Sequence, residues 1–244
     1  MRIILTSNLS IKNELKKIAL LKNILVEENI ALDIQKINLD RPAYEDYIRN
    51  VDNIIFQSKN AVAYSDILHG YILHNKTAKL YCMGKFTATE LKKFFTNKII
   101  YPKENYSSES LMKIIKNEKV GDESYLVIKG EDGRDYIQSE IKKFSTKIKV
   151  IDVYKRVPLE GFLKQSSIDN KANNYIIVSS KSALDVLLLS LSKYKKLGPL
   201  ILIVPNERII RDINKQIFKE IIIICNSSDA KTYLTAIEKH NEES

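Results

Sequence analysis

The sequence is short of the residues that common cofactor motifs require. Only 7 glycines occur in 244 residues, and none belongs to a GxxxxGK(S/T) phosphate loop or a GxGxxG dinucleotide turn. Tryptophan is absent. Histidine occurs three times, as His69, His74 and His240, with none of the Cys, Asp or Glu spacings of a metal site. His69 and His74 lie five apart and are expected at a solvated helix end. Two cysteines, Cys82 and Cys225, fall in or beside apolar strand-like runs. They read as buried thiols, not as a disulfide pair or a Cys–His nucleophile. No apolar run reaches the ~18 residues that span a bilayer, and the chain opens on a strand-like run instead of a signal-peptide pattern. The expectation is a cytoplasmic protein with no membrane association, no metal and no cofactor.

What is present is a chain able to bury a core, with 44% hydrophobic residues against 28% charged. Short β-branched runs at 2–6, 31–37, 53–56, 79–83, 99–101, 125–128, 148–154, 175–178, 200–204 and 220–224 read as strands. Between them, apolar residues recur every three to four positions over 11–28, 60–74, 87–95, 108–117, 134–144, 182–194, 208–216 and 228–239, which reads as helix. Continuous apolar strands separated by helices predict the α/β class, with parallel sheets covered on both faces.

The chain also repeats itself. Ile54-Ile55-Phe56-Gln57-Ser58-Lys59-Asn60-Ala61-Val62 is echoed by Ile176-Ile177-Val178-Ser179-Ser180-Lys181-Ser182-Ala183-Leu184, about 120 residues further on. Ile99-Ile100-Tyr101 followed by Tyr106-Ser107-Ser108 is echoed by Ile221-Ile222-Ile223 followed by Asn226-Ser227-Ser228. Two similar α/β domains are expected. The pattern breaks after Ile37 and again around Tyr154, which predicts one domain inserted into the other. The outer domain takes 1–37 and 159–244, the inserted domain takes 42–152, and 38–41 with 153–158 form a two-stranded linker. Such a linker permits closure of a cleft around a ligand.

The net charge is +9, which suits nucleic acid, a membrane surface or a polyanionic small molecule. Lysines are scattered, no basic run occurs and no nucleic-acid motif is present, so nucleic acid is not the expected partner. Chemistry-bearing residues concentrate at strand-to-helix junctions: Ser58 with Lys59, Thr87 after Gly84-Lys85-Phe86, Ser107 with Ser108, Ser179 with Ser180, Asn206, and Ser227 with Ser228. Each is read either as an N-cap alone or as part of an anion site, because helix N-termini offer free N–H groups and partial positive charge. Their mirrored arrangement favours a shared anionic ligand. A two-domain, non-catalytic binder of a small polyanion is the alternative to an enzyme.

The same residues carry a family resemblance. Asp52 to Val62, the glycine-x-x-threonine-alanine start at Gly84-Lys85-Phe86-Thr87-Ala88, the turn Lys129-Gly130-Glu131-Asp132-Gly133-Arg134 and the strand Val150-Ile151-Asp152-Val153-Tyr154-Lys155-Arg156 follow one another in order. Together they resemble the uroporphyrinogen-III synthases. Thr6-Ser7-Asn8 stands where members often carry Thr-Arg-Pro, so no arginine role exists at position 7. Val204-Pro205-Asn206-Glu207-Arg208 replaces a threonine-containing segment, so threonine contacts do not carry over there.

The resemblance implies a cofactor-independent lyase of porphyrin and haem biosynthesis. It would close the linear tetrapyrrole hydroxymethylbilane with loss of water and inversion of ring D. Two domains would flank the active site, and eight substrate carboxylates would account for the basic charge. A monomer is expected, with at most a transient contact with the preceding enzyme of the pathway. Tyr154 is expected to be the acid that assists departure of the hydroxyl, because a neutral phenol can donate to it. Tyr154 also reads as a linker aromatic that packs the hinge. Ser58, Thr87, Ser179 and Ser180 are the expected carboxylate contacts, with Lys59, Asn60, Gly130, Arg134 and Asn206 beside them.

Overall fold

Uninterrupted apolar runs become strands buried on both faces, and the chain uses them to build two sheets. The computed structural model describes residues 1–7, 9, 11–40, 42–131, 133–224 and 229–243. The chain divides into unit 1, Met1–Asp33 with Val157–Ser244, and unit 2, Ile34–Arg156. Along the chain come β1 (Arg2–Leu5), α1 (Lys12–Leu21), β2 (Leu25–Glu28), β3 (Leu32–Lys36), α2 (Pro42–Asn50), β4 (Asn53–Phe56), α3 (Lys59–Ala63) and α4 (Asp66–His74). Then follow β5 (Lys79–Cys82), α5 (Lys85–Leu91), β6 (Ile99–Ile100), α6 (Ser108–Glu118), β7 (Tyr125–Gly130), α7 (Tyr136–Ile141) and β8 (Ile148–Pro158). The last elements are β9 (Asn174–Ile177), α8 (Lys181–Leu191), β10 (Leu200–Val204), β11 (Glu220–Ile223) and α9 (Ala230–Glu243).

The first sheet runs β11-β10-β9-β1-β2 and the second β3-β8-β7-β4-β5-β6. The two orders correspond strand for strand, with β9 matching β4, β10 matching β5, β11 matching β6, β1 matching β7 and β2 matching β8. Among the described strands only β3 has no counterpart. The pairs β1–β2, β1–β9, β9–β10, β10–β11, β4–β5, β4–β7, β5–β6 and β7–β8 are all parallel. The sequence repeat is therefore a structural one, although each unit assembles its five strands in a different chain order.

Each sheet packs apolar residues on both faces. In unit 1, Ile4, Ile176 and Leu202 enter one cluster, while Ile3, Tyr175 and Ile201 enter the other. In unit 2, Ile54, Leu80 and Leu126 oppose Ile55, Tyr81 and Tyr125 in the same way. Cys82 is a free, buried thiol whose pKa burial pushes up to about 11. Cys225 and the junction residues Asn226, Ser227 and Ser228 lie outside the described residues.

Several local expectations are corrected. Residues 11–28 do not form one helix: α1 stops at Leu21, and 25–28 become β2. Asn23 adopts φ 55°, its N–H donates to the Leu20 carbonyl at 3.1 Å and the N–H of Ile24 to that of Ala19 at 2.9 Å. That is a Schellman closure with Asn in the left-handed position. Residues 208–216 give two 3-10 turns, Glu207–Ile210 and Lys215–Ile217, because Asn214 accepts the N–H of Gln216 and branched Ile209, Ile210 and Ile213 disfavour helix. Residues 60–74 form two helices, broken where the Ser65 hydroxyl donates to the Val62 carbonyl. His69 is not at a solvated helix end: it is 9% exposed, between the rings of Phe94 and Phe95 at 4.7 and 4.9 Å. Burial pushes its pKa down.

Candidate functional site

In the second sheet the chain moves outward from β4 through β5 to β6. It then crosses back to lay down β7 and β8 on the other side of β4. The carboxyl ends of β4 and β7 therefore form a switch point, where departing connections leave a crevice suited to a ligand. Ser58 follows β4 there, and the turn from Gly130 to Arg134 follows β7. A cavity of about 180 Å³ opens at this point, lined by Ser58, Gly130, Arg134 and Tyr154 together with Arg156 and Gln57.

Each lining residue is placed by a local cause. Ser58 is extended at φ −161° and caps α3, its Oγ accepting the Ala61 N–H at 3.0 Å. Tyr154 comes from β8, where a register shift between Lys129 and Gly130 brings it opposite Gly130. Its ring lies against Gly130 so closely that a Cβ there would sit 2.5 Å from Cε2 and 2.9 Å from the hydroxyl. The Tyr154 hydroxyl lies 3.2 Å from Ser58 Oγ and accepts from Arg156 Nη2 at 3.2 Å. Tyr154 is only 2% exposed and its ring packs against Tyr64 at 5.7 Å. It is thus a core residue whose polar tip reaches the cavity.

The turn after β7 is organised from inside by Lys129, a buried lysine. Its ammonium donates to the carbonyls of Gly130, Glu131 and Gly133 at 3.4, 3.3 and 3.1 Å. Carboxylates of Asp135 and Asp152 lie 3.3 and 3.4 Å away, so the buried charge is compensated. Gln57 Nε2 reaches the Arg134 carbonyl at 3.4 Å and ties the turn to β4. The Arg134 side chain is exposed and paired with Glu109 at 3.1 Å. Asp132 of this turn lies outside the described residues.

The remaining candidates of unit 2 are close in sequence but lie apart from that cavity's lining. Lys59 is exposed and borders a second cavity of about 330 Å³ with Lys85, Phe86, Thr89 and Glu90. Asn60 is half-buried and Thr87 buried, and neither lines these two cavities.

Unit 1 has the equivalent switch point between β9 and β1. Ser180 caps α8 by accepting the Ala183 N–H at 3.2 Å, as Ser58 caps α3. Ser179 Oγ lies 2.6 Å from Ser7 Oγ at the end of β1. Asn206 opens the turn after β10 with a buried Oδ1 that has no hydrogen-bond partner among the described residues. Removing either cap should be felt. We expect Ser58→Ala and Ser180→Ala each to lose about 1 kcal/mol in denaturant unfolding. An unchanged midpoint in either would show that the cap does not hold that helix start.

Sequence reasoning missed Ser7, Gln57, Lys129 and Arg156. Arg156 was the most accessible, since two residues beyond Tyr154 on a strand means the same face. Among the described residues no group of three or more His, Cys, Asp or Glu side chains could hold a metal ion, and no helix is long and apolar enough to cross a membrane.

Solved structures that share this fold include two synthases. The uroporphyrinogen-III synthetase of Helicobacter pylori matches with a TM-score of 0.63 at 16% identity, covering 98% of this chain and 100% of that one. A mutant uroporphyrinogen III synthase of Thermus thermophilus matches with a TM-score of 0.58 at 11% identity, covering 100% of both chains. No curated protein sequence matches. The family model described as Uroporphyrinogen-III synthase HemD matches residues 32–234. That span takes in both switch points but for the end of β1, and it runs from β3 into α9, so the chain belongs to the uroporphyrinogen-III synthase family.

Proposed function

We propose that the Tyr154 cavity is where this chain carries out its family's reaction, the closure of hydroxymethylbilane to uroporphyrinogen III. The observation that supports this reading most directly is the hydroxyl of Tyr154 held between Ser58 and Arg156 at the unit 2 switch point. In the reaction, the lone pair of the ring A nitrogen expels the terminal hydroxyl, which leaves as water once protonated. The substituted carbon of ring D attacks the resulting cationic carbon and forms a spiro species. The spiro species fragments, recloses with ring D inverted and loses a proton, which balances the one spent on the departing water. Without a protein the bilane closes to the type I isomer, so the main task is orientation.

Tyr154 supplies the proton. Arg156 donates to the phenol oxygen and the Ser58 hydroxyl, 3.2 Å away, can donate to it as well, an arrangement that leaves the phenol O–H to turn to the leaving hydroxyl. The N–H groups and hydroxyls around Ser58, Ser179 and Ser180 take substrate carboxylates, with Lys59, Asn60, Thr87, Gly130, Arg134 and Asn206 contributing. The protein acts as a monomer in the cytoplasm, with at most a transient contact with the enzyme that delivers the bilane.

The test is a product assay. Freshly made hydroxymethylbilane is incubated with the protein, the products are oxidised, and type I and type III isomers are separated. Excess type III over the protein-free control is expected. Type I alone from folded protein would leave a polyanion binder. An eight-carboxylate substrate and a +9 chain further predict a salt effect on binding. Raising sodium chloride from about 0.05 to about 0.5 M should raise KM several-fold with kcat little changed. A flat KM would remove long-range charge from substrate capture.

A further inference from the structure

The second cavity of unit 2 has a composition that the fold does not need. β4 and β5 pair in parallel with Phe56 opposite Cys82, so the starts of α3 and α5 emerge side by side at the carboxyl edge. α5 turns Thr87, Ala88 and Leu91 into the interior and leaves Phe86 outward, 66% exposed. Phe86 belongs to none of the core clusters. A single exposed phenylalanine is ordinary. This one forms a wall of a cavity of about 330 Å³ beside two ammonium groups, Lys59 and Lys85. Neither ammonium group has an ion pair or hydrogen bond among the described residues; Lys85 is bonded through its backbone, where the carbonyl accepts from Thr89 Oγ1 at 3.0 Å. The acidic group on the same wall, Glu90, is held by Lys93 at 2.8 Å. The cavity therefore offers one aromatic surface and two uncompensated positive charges.

Resting on the function proposed above, we infer that Phe86, Lys59 and Lys85 form a subsite for one pyrrole ring of the substrate, with its acetate and propionate. A pyrrole ring is flat and apolar and carries one carboxylate on each of two neighbouring carbons. The phenyl of Phe86 takes the ring, and the two ammonium groups take the two carboxylates. Because Lys59 directly follows Ser58, a ring seated here places the adjoining part of the bilane beside the Tyr154 cavity. The subsite positions substrate and takes no part in bond making.

The experiment compares steady-state constants of site and control variants. Lys59→Gln with Lys85→Gln should raise KM about tenfold with kcat within twofold. Phe86→Ala should raise KM several-fold, and Phe86→Tyr should restore it. Lys17→Gln with Lys113→Gln makes the same change in net charge elsewhere and should leave KM within twofold. Equal KM increases in both lysine pairs, or none at the site, would overturn the subsite. A second readout does not depend on turnover. Amide NMR of the wild-type protein, titrated with a monopyrrole bearing one acetate and one propionate, should show shifts at Lys85, Phe86 and Lys59 that Phe86→Ala abolishes. Absence of those shifts overturns the subsite even if type III product forms. Shifts at those amides from a protein that yields only type I product would uphold the subsite and sink the proposed reaction.

Discussion

Tyr154→Phe should lower kcat about a hundredfold, leave KM nearly unchanged and preserve the fold. The change removes only a hydroxyl whose partners are Ser58 Oγ and Arg156 Nη2. The ring itself, 2% exposed and packed on Tyr64, stays in place. Losing those hydrogen bonds costs about 1 kcal/mol of stability, well short of unfolding. A positioned acid contributes ~10²–10⁴-fold, and the low end applies because the hydroxyl of the hydroxymethyl group leaves readily even without a protein. Packing and acid catalysis therefore make opposite predictions for this variant. If the tyrosine served only as a core ring, phenylalanine would replace it with full turnover. Unaltered kcat in Tyr154→Phe would take the phenol out of the mechanism. Residual type III product at a reduced rate would show that orientation by the rest of the site persists.

The sequence disclosed those parts of the site that local chemistry determines. Ser58 and Ser180 stand out because an N-cap is a relation among four consecutive residues, and because the segment around one is copied around the other. Buried parallel strands disclose themselves in the same way, as in 53–56 and 200–204, where no polar residue but Asn53 interrupts the run. What stayed hidden depends on partners far along the chain. Lys129 reads as a surface lysine until β8 brings Asp152 beside it and the turn folds around its ammonium. Ser7 gains meaning only when β1 lies next to β9. β2 was concealed for a different reason. Leu21 and Leu25 keep helical spacing, and the left-handed Asn23 between them is a single-residue event that periodicity averages away. The added strand β3 has the same weak alternation as its neighbours in sequence, and its place beside β8 is set by pairing.

Gly130→Ala is expected to be the most damaging single-methyl change in this site, through contact and not through backbone strain. Gly130 does not adopt a positive φ, so alanine is conformationally allowed. The obstacle is the Tyr154 ring, whose Cε2 would lie 2.5 Å and hydroxyl 2.9 Å from the new Cβ. Retreat of the ring is opposed on its packed side. Tyr64 lies on it, and Val153 and Ile151 of the same strand are fixed in the core cluster. Overpacking of this kind costs about 1–3 kcal/mol, so thermal unfolding should begin several degrees lower. A displaced ring also withdraws its hydroxyl from Ser58 and Arg156, so kcat should fall at least as far as in Tyr154→Phe. A double-mutant cycle separates this account from a general weakening of the turn after β7. Tyr154→Ala leaves space for the methyl, so Gly130→Ala added to it should cost far less stability than in the wild-type background. Equal costs in the two backgrounds would show that the glycine is required by the turn held around Lys129, and that the contact with Tyr154 is incidental.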